Sequence, residues 1–183
     1  MYIKYKKIKF ALFLTLLSVA VVGVGWAVAT DETKDFNTSH IHVNLKCKGC
    51  LTKRVTNAGC AIFKDKKLLL VKHRFIGKWG FPGGRDNLKG ELAFQTAYRE
   101  TKEETGLIVS IEDLITEFEN HFRLFKCNIL KETNKFDKKE ITEIRYFSKE
   151  EILELMKEHK KELRYSHEFD VLYPQFDKFA KNS

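Results

Sequence analysis

Residues 84–107 read GRDNLKGELAFQTAYRETKEETGL, and the fold turns on what they form. A glycine-rich turn, Phe81-Pro82-Gly83-Gly84, leads in. Residues 91–105 hold no Pro or Gly and are rich in Ala, Leu, Glu, Lys, Gln and Arg, which predicts a helix. Gly106 stands where a C-cap glycine belongs. Leu92, Phe94, Ala97 and Tyr98 form one apolar face. Glu100 and Glu104, four residues apart, project from one side with Glu103 beside them. Three carboxylates this close repel one another unless a cation neutralises them. Mg²⁺ and Mn²⁺ prefer such hard oxygen ligands. The plainer reading is a solvated acidic face balanced by Arg99 and Lys102. The glycine turn and the Arg99-Glu100 pair, at these offsets, favour metal binding.

The stretch resembles the Nudix box, G-x5-E-x7-R-E-U-x-E-E-x-G-U with U a bulky aliphatic residue. From Glu91 the spacing matches through Arg99, Glu100, Glu103, Glu104, Gly106 and Leu107. The lead-in KWGFPGG, residues 78–84, is also similar. Two departures stand out: residues 85–90 lengthen the loop by one, and Thr101 replaces the aliphatic. Loop lengthening costs little, and neither change touches a carboxylate.

The resemblance covers roughly residues 57–151. It implies an α/β fold, a Nudix-like α/β/α sandwich with a mixed central sheet, in a domain at 57–183. It also implies hydrolysis of a diphosphate linked to another moiety, with Mg²⁺ or Mn²⁺ as cofactor. On that reading Glu100, Glu104 and Glu103, with the carbonyl of Gly84, hold the metal. Glu103 also accepts a proton from water, and Arg99 orients the carboxylates. Gly83, Glu91 and Gly106 are structural. Glu140 or Glu143 in the late strand supplies an extra ligand or base, with surface charge as the competing reading. The alternative function is a catalytically silent Nudix-fold module that binds a phosphorylated ligand or a protein partner. The lengthened loop favours it, and the intact carboxylates weigh against it.

The chain has 183 residues, which suits one domain plus an extension. Its net charge is +8, but Lys4, Lys6, Lys7 and Lys9 supply four of that, leaving +4 on residues 30–183. That balance is mild. With no basic stripe interleaved with aromatics, nucleic acid is not an expected partner. The expected partner is a small diphosphate-containing substrate.

Residues 1–9 are basic, and residues 10–29 carry no charge and end in Ala27-Val28-Ala29. This pattern predicts a secretory signal peptide. An uncleaved anchor competes, since twenty apolar residues span roughly 30 Å as a helix. Either way the lysines stay in the cytoplasm and the rest crosses. The domain is expected in a periplasm or beyond, and at a membrane only if the segment is retained.

Residues 30–56 read as a polar linker and a cysteine-containing extension. Cys47, Cys50, Cys60 and Cys127 suggest disulfides in an exported chain. Four cysteines allow three full pairings, and a cystine at Cys47 and Cys50, local or longer-range, is favoured over a zinc site built with His40 and His42, or a redox pair. Cys60 and Cys127 lie in apolar runs, where buried thiols are an alternative. Strands are predicted at 57–63, 67–72, 107–118, 121–130 and 140–147. Arg74, at a strand end, is a candidate phosphate contact, or simply a solvated charge. Ser148 and Glu151 form a capping box for a helix over 150–164. Pro174 starts a last helix, whose stripe of Phe169, Leu172, Phe176 and Phe179 covers the core.

Overall fold

The structure, a computed structural model, describes residues 40–181 apart from 48, 54 and 87–89. The signal or anchor segment and the middle of the lengthened loop lie outside the described residues. Among the described residues, no helix is long and apolar enough to cross a membrane.

The strands are β1 (His42–Val43), β2 (Ala58–Lys64), β3 (Lys67–His73), β4 (Trp79–Gly80), β5 (Gly83–Gly84), β6 (Leu107–Glu117), β7 (Arg123–Glu132) and β8 (Ile141–Phe147). The helices are α1 (Ala93–Thr105), α2 (Lys149–Lys157), α3 (Ser166–Leu172) and α4 (Phe176–Ala180). β2 pairs parallel with β7 and antiparallel with β5. β7 continues antiparallel to β6, whose outer side takes β1 in parallel. The sheet is therefore mixed. At the end of β2 the chain turns through Asp65 and Lys66, both with positive φ, into β3. β3 then pairs with β4 and β8.

Side-chain alternation divides these strands between two cores. Cys60, Ile62, Leu69 and Val71 pack with Ala93, Phe94 and Ala97 of α1. Ala61, Phe63, Leu68 and Leu70 pack with residues of α2, α3 and α4. Both sides of β2 are thus covered, which is why the run Ala58–Phe63 is apolar throughout. The layering is the α/β/α sandwich expected from the sequence.

Several elements differ from expectation. α1 begins at Ala93, two residues late, because the Gln95 side chain accepts the Leu92 N–H at 2.7 Å and caps the helix there. Its C-terminus is as expected, with Gly106 at φ 71°. α2 has its Ser148–Glu151 capping box but stops at Lys157, not 164. Beyond it the chain is drawn to β4: Leu163 bridges to Trp79, and the Arg164 N–H bonds the Trp79 carbonyl at 2.7 Å. Helical structure then resumes at Ser166, ahead of Pro174, which sits in a 3-10 turn between α3 and α4. Phe169, Leu172, Phe176 and Phe179 are all buried.

Residues 30–39, expected as a linker, lie outside the described residues. β1 adds to the sheet, and Cys47 and Cys50 are buried in the core that α1 shares. The four cysteines form two bridges, Cys47–Cys50 and Cys60–Cys127. This corrects the zinc reading, because oxidised sulfurs are not thiolate ligands, and His40 and His42 are exposed. It also corrects the buried-thiol reading of Cys60 and Cys127.

Candidate active site

The turn 81–84 crosses beneath α1, and its backbone meets the helix's acidic face. The Gly83 N–H donates to Glu104 Oε2 at 2.7 Å. A Cβ on Gly84 would lie 2.5 Å from Cδ of Glu100, so glycine leaves the space that this carboxylate occupies. Glu100 and Glu104 are both buried, while Glu103 is about half exposed. Helical spacing puts all three on one side, but the turn covers only two.

Arg99 holds the acidic groups in register. Its Nε and Nη2 donate to the two oxygens of Glu91 at 2.8 and 3.0 Å. Its Nη1 donates to Glu100 Oε1 at 2.8 Å and to Glu103 Oε2 at 2.9 Å. Nη2 also donates to the Arg85 carbonyl at 2.8 Å. Burial alone would lower the guanidinium pKa, but Glu91 and Glu100 hold it above its ordinary value. Glu91 is buried just ahead of α1 and forms a fork with Arg99.

Burial pushes the Glu104 carboxyl up to about 8; the Gly83 N–H opposes this and the charge of Glu100 adds to it. Burial also raises Glu100, with Arg99 opposing. The charge of Glu140 raises both, so the residue just before β8 lies in their field. Glu143 is exposed on β8 opposite Lys72. Arg74 donates Nε and Nη2 to the Lys138 carbonyl at 3.1 and 2.8 Å, and its N–H bonds the Glu140 carbonyl at 2.7 Å. It braces the segment that carries Glu140.

His73, at the end of β3, places Nδ1 3.6 Å from Glu104 Oε1. Its Nε2 lies 3.0 Å from Nη1 of Arg164. Burial and then the Arg164 charge lower the His73 pKa to about 4. Neither contact is foreseen from the sequence. A groove of about 970 Å³ opens beside Arg99 and Glu103, lined in part by Tyr98, Lys102, Lys131 and Phe136.

The residues fit a divalent cation. Two carboxylates lie together with little water, and burial disfavours the charge that both would carry. A cation relieves that deficit, and hard oxygen donors suit Mg²⁺ or Mn²⁺. Among the described residues, no three His, Cys, Asp or Glu side chains form a set that would hold an ion alone. Glu100 and Glu104 would therefore share it with the Gly84 carbonyl, water and phosphate oxygens, as Mg²⁺ commonly requires.

The fold resembles those of several solved structures. A UDP-X diphosphatase is 18% identical with a TM-score of 0.54, over 90% of this chain and 71% of that one. A NUDIX hydrolase from Nitrosomonas europaea is 23% identical with a TM-score of 0.53, over 70% of this chain and 90% of that one. An Ap4A hydrolase from C. elegans is 17% identical with a TM-score of 0.50, over 69% of this chain and 99% of that one. At these identities the likeness is one of fold. No curated protein matches the chain. The NUDIX domain matches residues 53–168, taking in α1, the glycine turn and Glu140. The chain belongs to the Nudix family.

Proposed function

We propose that the protein is a metal-dependent, exported pyrophosphohydrolase: water attacks a phosphorus of a diphosphate linked to another moiety. The observation that carries this is the burial of Glu100 and Glu104 against the Gly83–Gly84 backbone, held by Arg99. A divalent ion bound there supplies charge neutralisation at phosphate oxygens and acidifies water. The chain's own groups do the rest. Arg99 keeps the Glu100 and Glu103 carboxylates oriented through charge-assisted hydrogen bonds. Glu103, half exposed at the rim, and Glu140 are the two candidates to take the proton from water. The groove beside Glu103 has room for the non-phosphate moiety, and its lysines suit anionic substrates.

Export rests on residues 1–29 and on the two cystines, which belong to an oxidising compartment. A mature N-terminus at Thr30 would identify a cleaved signal, and an intact Met1 in a membrane fraction an anchor.

The test is formation of nucleotide and phosphomonoester products, read by chromatography, from a panel that includes a UDP-linked diphosphate, ADP-ribose and Ap4A, with Mg²⁺ or Mn²⁺. Turnover is expected for at least one substrate. It should be lost in Glu104→Gln and strongly reduced in Glu103→Gln. Wild-type rates in both variants would overturn the assignment, and a chain that binds these ligands without turnover would be the silent module.

A further inference from the structure

We propose that Arg164 is a positioning residue for the Glu104 carboxylate, acting through the ring of His73. This rests on the hydrolase reading of Glu104 above. The two residues reach the site from distant parts of the chain: His73 ends β3, and Arg164 follows the 3-10 turn after α2.

The argument is one of donors and acceptors. An arginine side chain has five N–H donors and no acceptor. Its Nη1 lies 3.0 Å from His73 Nε2, so in this contact Nε2 accepts and carries no proton. The ring's single proton then sits on Nδ1. Nδ1 lies 3.6 Å from Glu104 Oε1, within ion-pair reach but longer than a hydrogen bond. The other oxygen of Glu104 already accepts from Gly83 N–H at 2.7 Å. A nitrogen therefore faces each oxygen of the carboxyl group, one hydrogen-bonded and one at ion-pair distance. With the opposite tautomer, Nδ1 would turn a lone pair toward Glu104 and repel the ionised carboxylate that a bound cation requires.

Arg164 is itself held in place. Its N–H bonds the Trp79 carbonyl at 2.7 Å. Its guanidinium lies over the Tyr165 ring, 5.1 Å from the centroid. Gly80 packs alongside: a Cβ there would make only ordinary contact with Arg164 Cβ at 3.4 Å and His73 Nε2 at 3.7 Å. A metal-ligating carboxylate depends on such partners behind it for orientation, and their loss commonly lowers metal affinity by roughly tenfold or more.

The experiment uses the full chain, labelled with ¹⁵N-histidine, and reads the His73 tautomer by long-range ¹H–¹⁵N NMR at neutral pH. Wild type is expected to show a protonated Nδ1 and a bare Nε2. Arg164→Gln, which keeps an N–H donor, retains that pattern. Arg164→Glu, which offers only an acceptor, moves the proton to Nε2. Mn²⁺ affinity measured by EPR should fall roughly tenfold in Arg164→Glu and recover in Arg164→Gln. kcat should follow the same order, with KM little changed. A proton on Nε2 in the wild type overturns the proposal, as does Mn²⁺ affinity that is equal across the series. If Arg164→Glu fails to fold by circular dichroism, Arg164→Met takes its place. Lacking any donor, it must show mixed tautomers, and an unmixed Nδ1–H form overturns the proposal. If no diphosphate is hydrolysed by the wild type, the hydrolase reading fails, while tautomer and Mn²⁺ binding still decide the role of Arg164.

Discussion

Gly84 leaves vacant the space that the Glu100 carboxylate fills, with only 2.5 Å between Glu100 Cδ and the point where a Cβ would stand. The atoms in the way belong to the tip of a flexible side chain. Gly84→Ala should therefore fold, with Glu100 displaced from its seat. Misplacing a catalytic group by about 1 Å costs on the order of a hundredfold in rate. We expect kcat/KM to fall by about that factor while the melting temperature moves by only a few degrees. A variant with near wild-type turnover would show that Glu100 need not lie against the turn.

Arg99 should matter for stability as well as for turnover. It forks onto Glu91, which is buried. Removing one member of a buried pair typically costs about 3–5 kcal/mol. Arg99→Ala should lose stability on that scale in urea denaturation. Arg99→Lys should recover only part of it, because an ammonium cannot reproduce the fork to Glu91 together with the bonds to Glu100 and Glu103.

Glu168 makes a prediction about pH. It is 2% exposed on α3, its Oε1 has no hydrogen-bond partner among the described residues, and burial pushes its pKa from 4.5 up to about 8, with Arg164 opposing. A folded pKa above the unfolded one means that stability is fully present below about pH 4.5. It is lost as pH rises through about 8, where the carboxyl must ionise in place. Glu168→Gln removes that slope. We expect the stability difference between variant and wild type to grow in the variant's favour from acid to mildly alkaline pH, by an amount of order a few kcal/mol. A difference that does not vary with pH would show Glu168 to be ordinarily solvated. Glu104 titrates in a similar range, and comparing variant with wild type cancels its share.

The two cystines should contribute unequally. Cys60–Cys127 ties β2 to β7 across a separation of 67 residues, whereas Cys47–Cys50 spans only three. Longer loops lose more freedom in the unfolded chain. Replacing Cys60 and Cys127 by Ala should cost roughly 2–4 kcal/mol. The same change at Cys47 and Cys50 should cost less. Denaturation with and without reductant, on both double variants, checks the order.

Much of this was legible in the sequence. Helical spacing from Leu92 to Thr105, with Gly106 after it, marks α1, and the apolar runs mark β2 and β3. The capping box at Ser148 marks the start of α2. What escaped depends on partners far along the chain. Cys60 pairs with Cys127 because β2 and β7 lie side by side, a register that no local pattern encodes. His73 meets Arg164 only because the chain after α2 returns to β4. That return also ends α2 early, where the residues after Lys157 offer no apolar face to continue it. Glu168 did leave a trace: it lies four residues before Leu172 and eight before Phe176, on the buried line of that stripe.

β1 is only two residues long, yet it occupies the outer flank of β6. Unpaired flanks of this kind offer a template to any passing extended chain. A protein trimmed to begin at Asn57 would keep the acidic helix and its glycine turn, but would lay that flank bare. Such a truncated chain is expected to self-associate more readily than the full one through strand addition at Ser110 and Ile111, which gel filtration of the two would show.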